Sequence, residues 1–198
     1  MTRLNDYFDR VAVINLDRRT DRMAQFESQT KDLGIDFVRY SAVDAQAFGI
    51  DGARACAASH RQVLADAVAD GVERLFIFED DAEFKAEFNT KFSEFVEVLP
   101  DDWQMLYLGS WPYSVKDIGI EGLQQTFGNI TTHAYGAKRE IFEALIEACD
   151  NYQHPVDVAY GLLHQHLITY IIHPSIVTQA IGISDIRKGL VNYQDHII

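Results

Sequence analysis

The chain has only two cysteines in 198 residues, and no apolar stretch approaches the roughly 20 residues needed to cross a bilayer. Cys56 and Cys149 both fall on apolar faces of predicted helices. That placement suits buried, reduced thiols better than a disulfide framework, and it leaves a bridge between the two open. No Cys-x-x-Cys pair occurs, and His164 and His166 stand two apart instead of the three or four that helical zinc ligands prefer, so no structural zinc site is read. Met1 to Asp6 lead into no signal-peptide hydrophobic region, which makes a cytoplasmic protein the expectation. With no repeat, low-complexity tract or linker, one domain over residues 1–198 is the simplest organisation.

Basic residues are scarce as well. Lys and Arg total 17 against 30 Asp and Glu, a formal net charge of −13. Nucleic acids and anionic membranes need a field of the opposite sign, so broad binding to either is excluded. No basic amphipathic helix offers to dock the chain on a bilayer. A small-molecule site is untouched by this argument, because a few local arginines suffice to hold a phosphate. The apolar and charged fractions, 47% and 24%, are those of an ordinary globular protein.

What is present is a strand and helix alternation. Val11 to Leu16 reads as a first strand, followed by a helix carrying Met23, Phe26, Thr30 and Leu33 and stopped by Gly34. Asp36 to Tyr40 reads as a second strand, and a helix with Cys56, His60, Val63, Leu64 and Ala67 on one face ends near Gly71. Arg74 to Phe78 is a third strand, Phe88 to Leu99 a helix closed by Pro100, and Met105 to Leu108 a fourth strand stopped by Gly109. The pattern weakens from Trp111 to Ile130. His133 to Gly136 then gives a strand or turn, Ile141 to Cys149 a helix, and Pro155 opens a short helical piece. The apolar run Leu167 to Ile172 and an irregular tail finish the chain. This order predicts an α/β fold with a Rossmann-like, mostly parallel sheet flanked by helices.

Chemistry enters where the third strand stops. Glu79-Asp80-Asp81 follow Leu75 to Phe78 directly, and ligands in open α/β sheets bind beyond the carboxyl ends of strands. Clustered carboxylates there can hold Mg²⁺ or Mn²⁺ against a diphosphate, or they can simply cap the next turn. The first strand ends in a polar loop in which Arg18, Arg19 and Arg22 either meet a phosphate or form a solvated helical turn capped by Asp17 or Thr20. His60 reads as a core histidine, with Ser59 capping or bracing a loop. His133 is either a site residue or a strand-end histidine facing solvent. Asp157 either charges a helix start or serves as a general base, since it sits on a different loop from the acidic triplet. Trp111 and Tyr113 are candidates to stack on a sugar face, against the commoner core role.

Taken in order, Val13 to Arg19 with Asp21-Arg22, Cys56-Ala57-Ala58-Ser59-His60, Phe78 to Ala82, Leu106 to Gly109, Thr132 to Tyr135, Pro155-Val156-Asp157 and Ser184-Asp185-Ile186 resemble glycosyltransferase family 25. The resemblance implies a GT-A type fold and inverting transfer of a hexose, galactose or glucose, from a UDP-sugar to an acceptor hydroxyl. The acceptor it implies is a glycan, lipid-linked in some bacterial enzymes, in the manner of lipopolysaccharide or lipooligosaccharide biosynthesis. It places Mn²⁺ or Mg²⁺ on Asp80 and Asp81, the base on Asp157, and the donor on Asn15, Leu16, Arg18, Arg19, Glu79, Asp80, His133 and Asp185. Ala55 and Ala58 depart from the glycine and leucine usual in the family's Cys-x-x-Ser-His element. The stretch between Gly109 and Thr131 is short for the family, and acceptor specificity is expected there. Two other readings stand beside this one: a non-catalytic nucleotide-sugar or glycan-binding domain, and a carboxylate-dependent hydrolase.

Overall fold

The computed structural model describes residues 1–151, 153–186, 188–193 and 196–197. A short helix α1 (Leu4–Tyr7) leads into strand β1 (Arg10–Asn15), and helix α2 (Thr20–Leu33) follows. Gly34 ends α2 at φ 67°, a left-handed conformation that glycine adopts without cost. Then come β2 (Val38–Ser41), α3 (Ala45–Phe48) and α4 (Gly52–Ala69), whose first turn is capped by Asp51 accepting from the Ala53 and Arg54 amides. Strand β3 (Arg74–Glu79) runs into the acidic residues, and β4 (Ala82–Phe84) leaves them. Next are α5 (Phe88–Val98), β5 (Met105–Tyr107), and the hairpin of β6 (Trp111–Ile120) and β7 (Leu123–Ile130). Strand β8 (Ala134–Lys138), α6 (Phe142–Asp150), α7 (Val156–Leu163), β9 (Thr169–Ile172) and the three-residue strands β10 (Val177–Gln179), β11 (Gly182–Ser184) and β12 (Gly189–Val191) complete the chain.

Eight strands form one sheet in the order β2-β1-β3-β8-β5-β9-β7-β6. Only β7 and β8 run against the other six, so the expected mostly parallel, helix-flanked sheet is observed. Both faces of its centre are dry. Along β1, Val11 and Val13 enter one apolar cluster with Phe26, Phe76, Phe78, Phe92 and Leu106. Ala12 and Ile14 enter the other, with Val63, Leu64, Ile77, Tyr107, Phe142 and Tyr160. A period of two with both sets apolar is what a strand covered by helices on each side requires.

The parallel register of β1 and β3 sets Ile14 opposite Glu79, so the carboxyl ends of both strands open on the same crevice. On another side of that crevice, the segment after β9 packs against the end of β5. A Cβ added to Gly109 would stand 1.8 Å from the Val177 carbonyl oxygen, so only glycine fits there. Among the described residues, no helix is long and apolar enough to cross a membrane.

Candidate functional site

A cavity of about 630 Å³ lies beyond the carboxyl ends of β1 and β3. Its lining includes Leu16, Arg18, Glu79, Asp80, Asp81, Asp157 and Asp185, which the sequence assigns to one site from four separate segments. Three other expected residues stand behind the wall. Asn15 is buried and donates to Asp80 Oδ2 at 2.6 Å, while Arg19 reaches the site through Asp185, at 2.7 Å. His133 is fully buried and does not line the cavity, so it is not a strand-end histidine facing solvent. Burial pushes its ring down to about 4, which keeps it neutral.

The acidic residues are held by a cation that sequence spacing did not suggest. Arg22 Nη1 donates to Asp80 Oδ1 at 3.0 Å and to Asp81 Oδ2 at 3.1 Å, and its Nη2 donates to the Ile183 carbonyl at 3.0 Å. Gln179 adds its amide to Asp81 at 3.2 Å. One guanidinium does not balance three carboxylates. Burial raises the Asp81 carboxyl to about 7, helped by the negative charge of Glu79 and opposed by Arg22. Burial also raises Asp80, against the hydrogen bond from Asn15 and the charge of Arg22. Glu79 goes the other way. Burial alone would raise it, but the His60 ring and the Thr132 hydroxyl, donating at 2.7 Å, hold it below the ordinary range. These hard oxygen donors, short of positive charge and open to a cavity, fit a divalent cation of the Mg²⁺ or Mn²⁺ type. Asp80 and Asp81 are the residues that would hold it.

The arginines of the first loop are paired. Arg18 donates to Asp44 at 2.9 Å and to Asp185 at 2.6 Å, and Arg19 donates to Asp21 at 2.8 Å as well as to Asp185. Burial opposes ionisation of Asp185, yet the two guanidinium bonds outweigh it and hold the carboxyl below its usual value. Asp17 does not cap α2. It accepts from Arg39 and from Ser41, and no side chain caps that helix.

Asp157 lines the same cavity from another element. It sits in the first turn of α7 and accepts from the Thr131 amide at 3.3 Å and the Val158 amide at 2.8 Å. Thr131 holds φ 77°, a conformation that costs a β-branched residue on the order of 1–3 kcal/mol. Backbone strain of this kind persists where surrounding structure fixes it, here between β7 and the buried Thr132. Trp111 also lines the cavity, its ring stacked on His196 at 3.9 Å, whereas Tyr113 lies over Gly128 outside the lining. Ser59 braces a loop as expected, accepting from the Val43 amide at 2.9 Å. His164 is buried against Tyr107 and His166 is exposed, so they form no metal pair.

Comparison with known proteins supports the reading from sequence. Residues 50–127 match the profile of glycosyltransferase family 25, described as an LPS biosynthesis protein family. "Inactive glycosyltransferase 25 family member 3" of Mus musculus is 28% identical over 144 aligned residues, covering 59% of this chain and 24% of that protein. Its Homo sapiens counterpart is 27% identical over the same length. The chain thus spans about a quarter of the length of the curated relatives it matches. Among solved structures, a glycosyltransferase involved in the glycosylation of the major capsid of PBCV-1 superposes with a TM-score of 0.57 at 8% identity, over 90% of this chain and 95% of that one. The resemblance to glycosyltransferase family 25 is therefore matched independently over residues 50–127, on a fold shared with that solved structure.

Proposed function

We propose that this domain transfers a hexose, galactose or glucose, from a UDP-sugar to a hydroxyl of a glycan acceptor, with inversion. The observation that supports this best is one cavity lined both by Asp80 and Asp81, which follow β3, and by Asp157, in the first turn of α7. Single displacement needs that separation. The base must face the acceptor hydroxyl while the acids face the departing diphosphate. In this reading Asp157, held by the Thr131 and Val158 amides, takes the hydroxyl proton as the acceptor oxygen attacks the anomeric carbon. The bond from that carbon to the diphosphate oxygen breaks, and UDP leaves. A divalent cation, when bound to Asp80 and Asp81, supplies charge stabilisation to the departing diphosphate. Arg22 keeps the two carboxylates oriented, and Asn15 fixes Asp80 from behind. Arg18 and Asp185 lie where nucleotide recognition is expected, and Trp111 offers a ring to a sugar face.

The family description points to lipopolysaccharide or a related surface glycan as the acceptor class. One observation favours a second reading, a nucleotide-sugar or glycan-binding domain without turnover: the curated relatives are named inactive. UDP release from a panel of UDP-sugars, with and without Mn²⁺, on wild type and Asp81→Asn decides between them. Metal-dependent release from one donor, lost in the variant, is the expected result. A UDP- and Mn²⁺-dependent rise in melting temperature with no release from any donor, even with glycan acceptors added, favours the binding domain. Rapid release of free sugar with no acceptor present points instead to a hydrolase.

A further inference from the structure

A second cluster of metal-ligating side chains stands on the cavity wall, apart from the Asp80 and Asp81 carboxylates. Cys56 and His60 are four residues apart on α4, so they share one helix face. Glu79, at the end of β3, meets that face. The thiol sulfur, an imidazole nitrogen and a carboxylate oxygen all lie within 4.8 Å of one another. All three residues line the cavity. We propose that Cys56, His60 and Glu79 form a site for a thiolate-binding divalent cation of the Zn²⁺ class, with a fourth position open to the cavity.

Three further observations support it. First, His60 is fully buried, and its Nε2 makes no hydrogen bond among the described residues; Glu79 Oε1 is 3.6 Å away, a contact that lowers the Glu79 carboxyl electrostatically but is too long for a hydrogen bond. A buried ring nitrogen left open is costly unless something occupies it, and metal coordination satisfies it. Second, the ligands are oriented from behind as metal ligands usually are: His60 Nδ1 is 3.0 Å from the Tyr135 hydroxyl, and Thr132 donates to Glu79 at 2.7 Å. Third, one sulfur, one nitrogen and one oxygen ligand suit zinc and cobalt, whereas the all-oxygen pair beside them suits magnesium and manganese. On binding, the thiol proton leaves to solvent as the sulfur to metal bond forms.

Cobalt(II) titrated into the protein, with Mn²⁺ in excess to saturate the carboxylate pair, tests this independently of any transfer activity. The expected result is a near-ultraviolet thiolate-to-cobalt charge-transfer band that Zn²⁺ erases. Cys56→Ser should abolish the band and weaken cobalt binding by more than about 100-fold, beyond the roughly 10–100-fold that losing an outer partner costs. Cys149→Ser should retain it, since that thiol is buried against the Tyr160 hydroxyl at 3.1 Å. Circular dichroism confirms that each variant is folded. Absence of the band in the wild type, or its survival in folded Cys56→Ser, overturns the proposal.

Discussion

Asp81 carries the clearest consequence at the scale of one residue. Its carboxyl sits at about 7 in the folded chain because burial and the charge of Glu79 outweigh Arg22. The unfolded value is about 3.9, so between these pH values the folded state binds more protons than the unfolded one. Stability is therefore fully present near pH 4 and falls as pH rises toward 7. Asp81→Asn removes the buried charge, and without divalent cation it should stabilise the protein at pH 8 by on the order of 1–3 kcal/mol. Urea melts at pH 5 and pH 8 measure this directly; a variant less stable than wild type at pH 8 contradicts it. Asp157 answers a different question. Asp157→Asn keeps the size of the side chain and one of its two amide-accepting oxygens, enough to hold the 2.8 Å bond from the Val158 amide, but cannot accept a proton, so turnover should fall by about 10²–10⁴-fold while UDP binding stays near wild type. Equal loss of binding and turnover means that Asp157 holds the donor or the fold and is not the base.

At the scale of elements, the site depends on the close seating of β10 against the end of β5. Gly109→Ala places a methyl group 1.8 Å from the Val177 carbonyl, and β10 must move. Because Gln179 of β10 donates to Asp81, the variant should lose on the order of 1–3 kcal/mol and, with it, much of its response to Mn²⁺. A Gly109→Ala protein with unchanged melting and metal response means that β10 does not support the acids. The elements legible in the sequence are those with apolar residues on a fixed period. β1, β3, α5 and α6 are covered by the two cores, and their patterns are complete. The hairpin of β6 and β7 was not legible, because β6 is the last strand of the sheet, its residues 113–117 are exposed, and its register shifts three times. Strands of three residues such as β10 to β12 carry too few positions for a period to register. The site divides in the same way. Glu79, Asp80 and Asp81 announce themselves by adjacency behind an apolar strand, and Asp157 by its separate loop. Arg22 as their partner comes from 58 residues away, and the cluster of Cys56, His60 and Glu79 joins a helix to a strand, so neither follows from local spacing.

For the whole molecule, charge decides how the donor arrives. The protein carries a formal −13, and carboxylates outnumber cations six to three among the described residues lining the cavity. A nucleoside diphosphate entering that field meets repulsion at long range and carboxylates at short range, and Arg18 is already paired with Asp44 and Asp185. A divalent cation on Asp80 and Asp81 reverses the local sign, so UDP and Mn²⁺ should bind cooperatively. At about 100 times Kd a ligand stabilises by ~2.7 kcal/mol, which raises the melting temperature of a chain of this size by about 5–10 °C. UDP alone should shift it little at low salt. Raising the ionic strength to screen the long-range repulsion should improve metal-free UDP binding, since the Debye length falls to about 8 Å at 0.15 M. Thermal melts with UDP, Mn²⁺ and both, at two salt concentrations, separate these contributions. If UDP alone gives the full shift at low salt, Arg22 and Arg18 hold the diphosphate without a metal, and the cation has no place in donor binding.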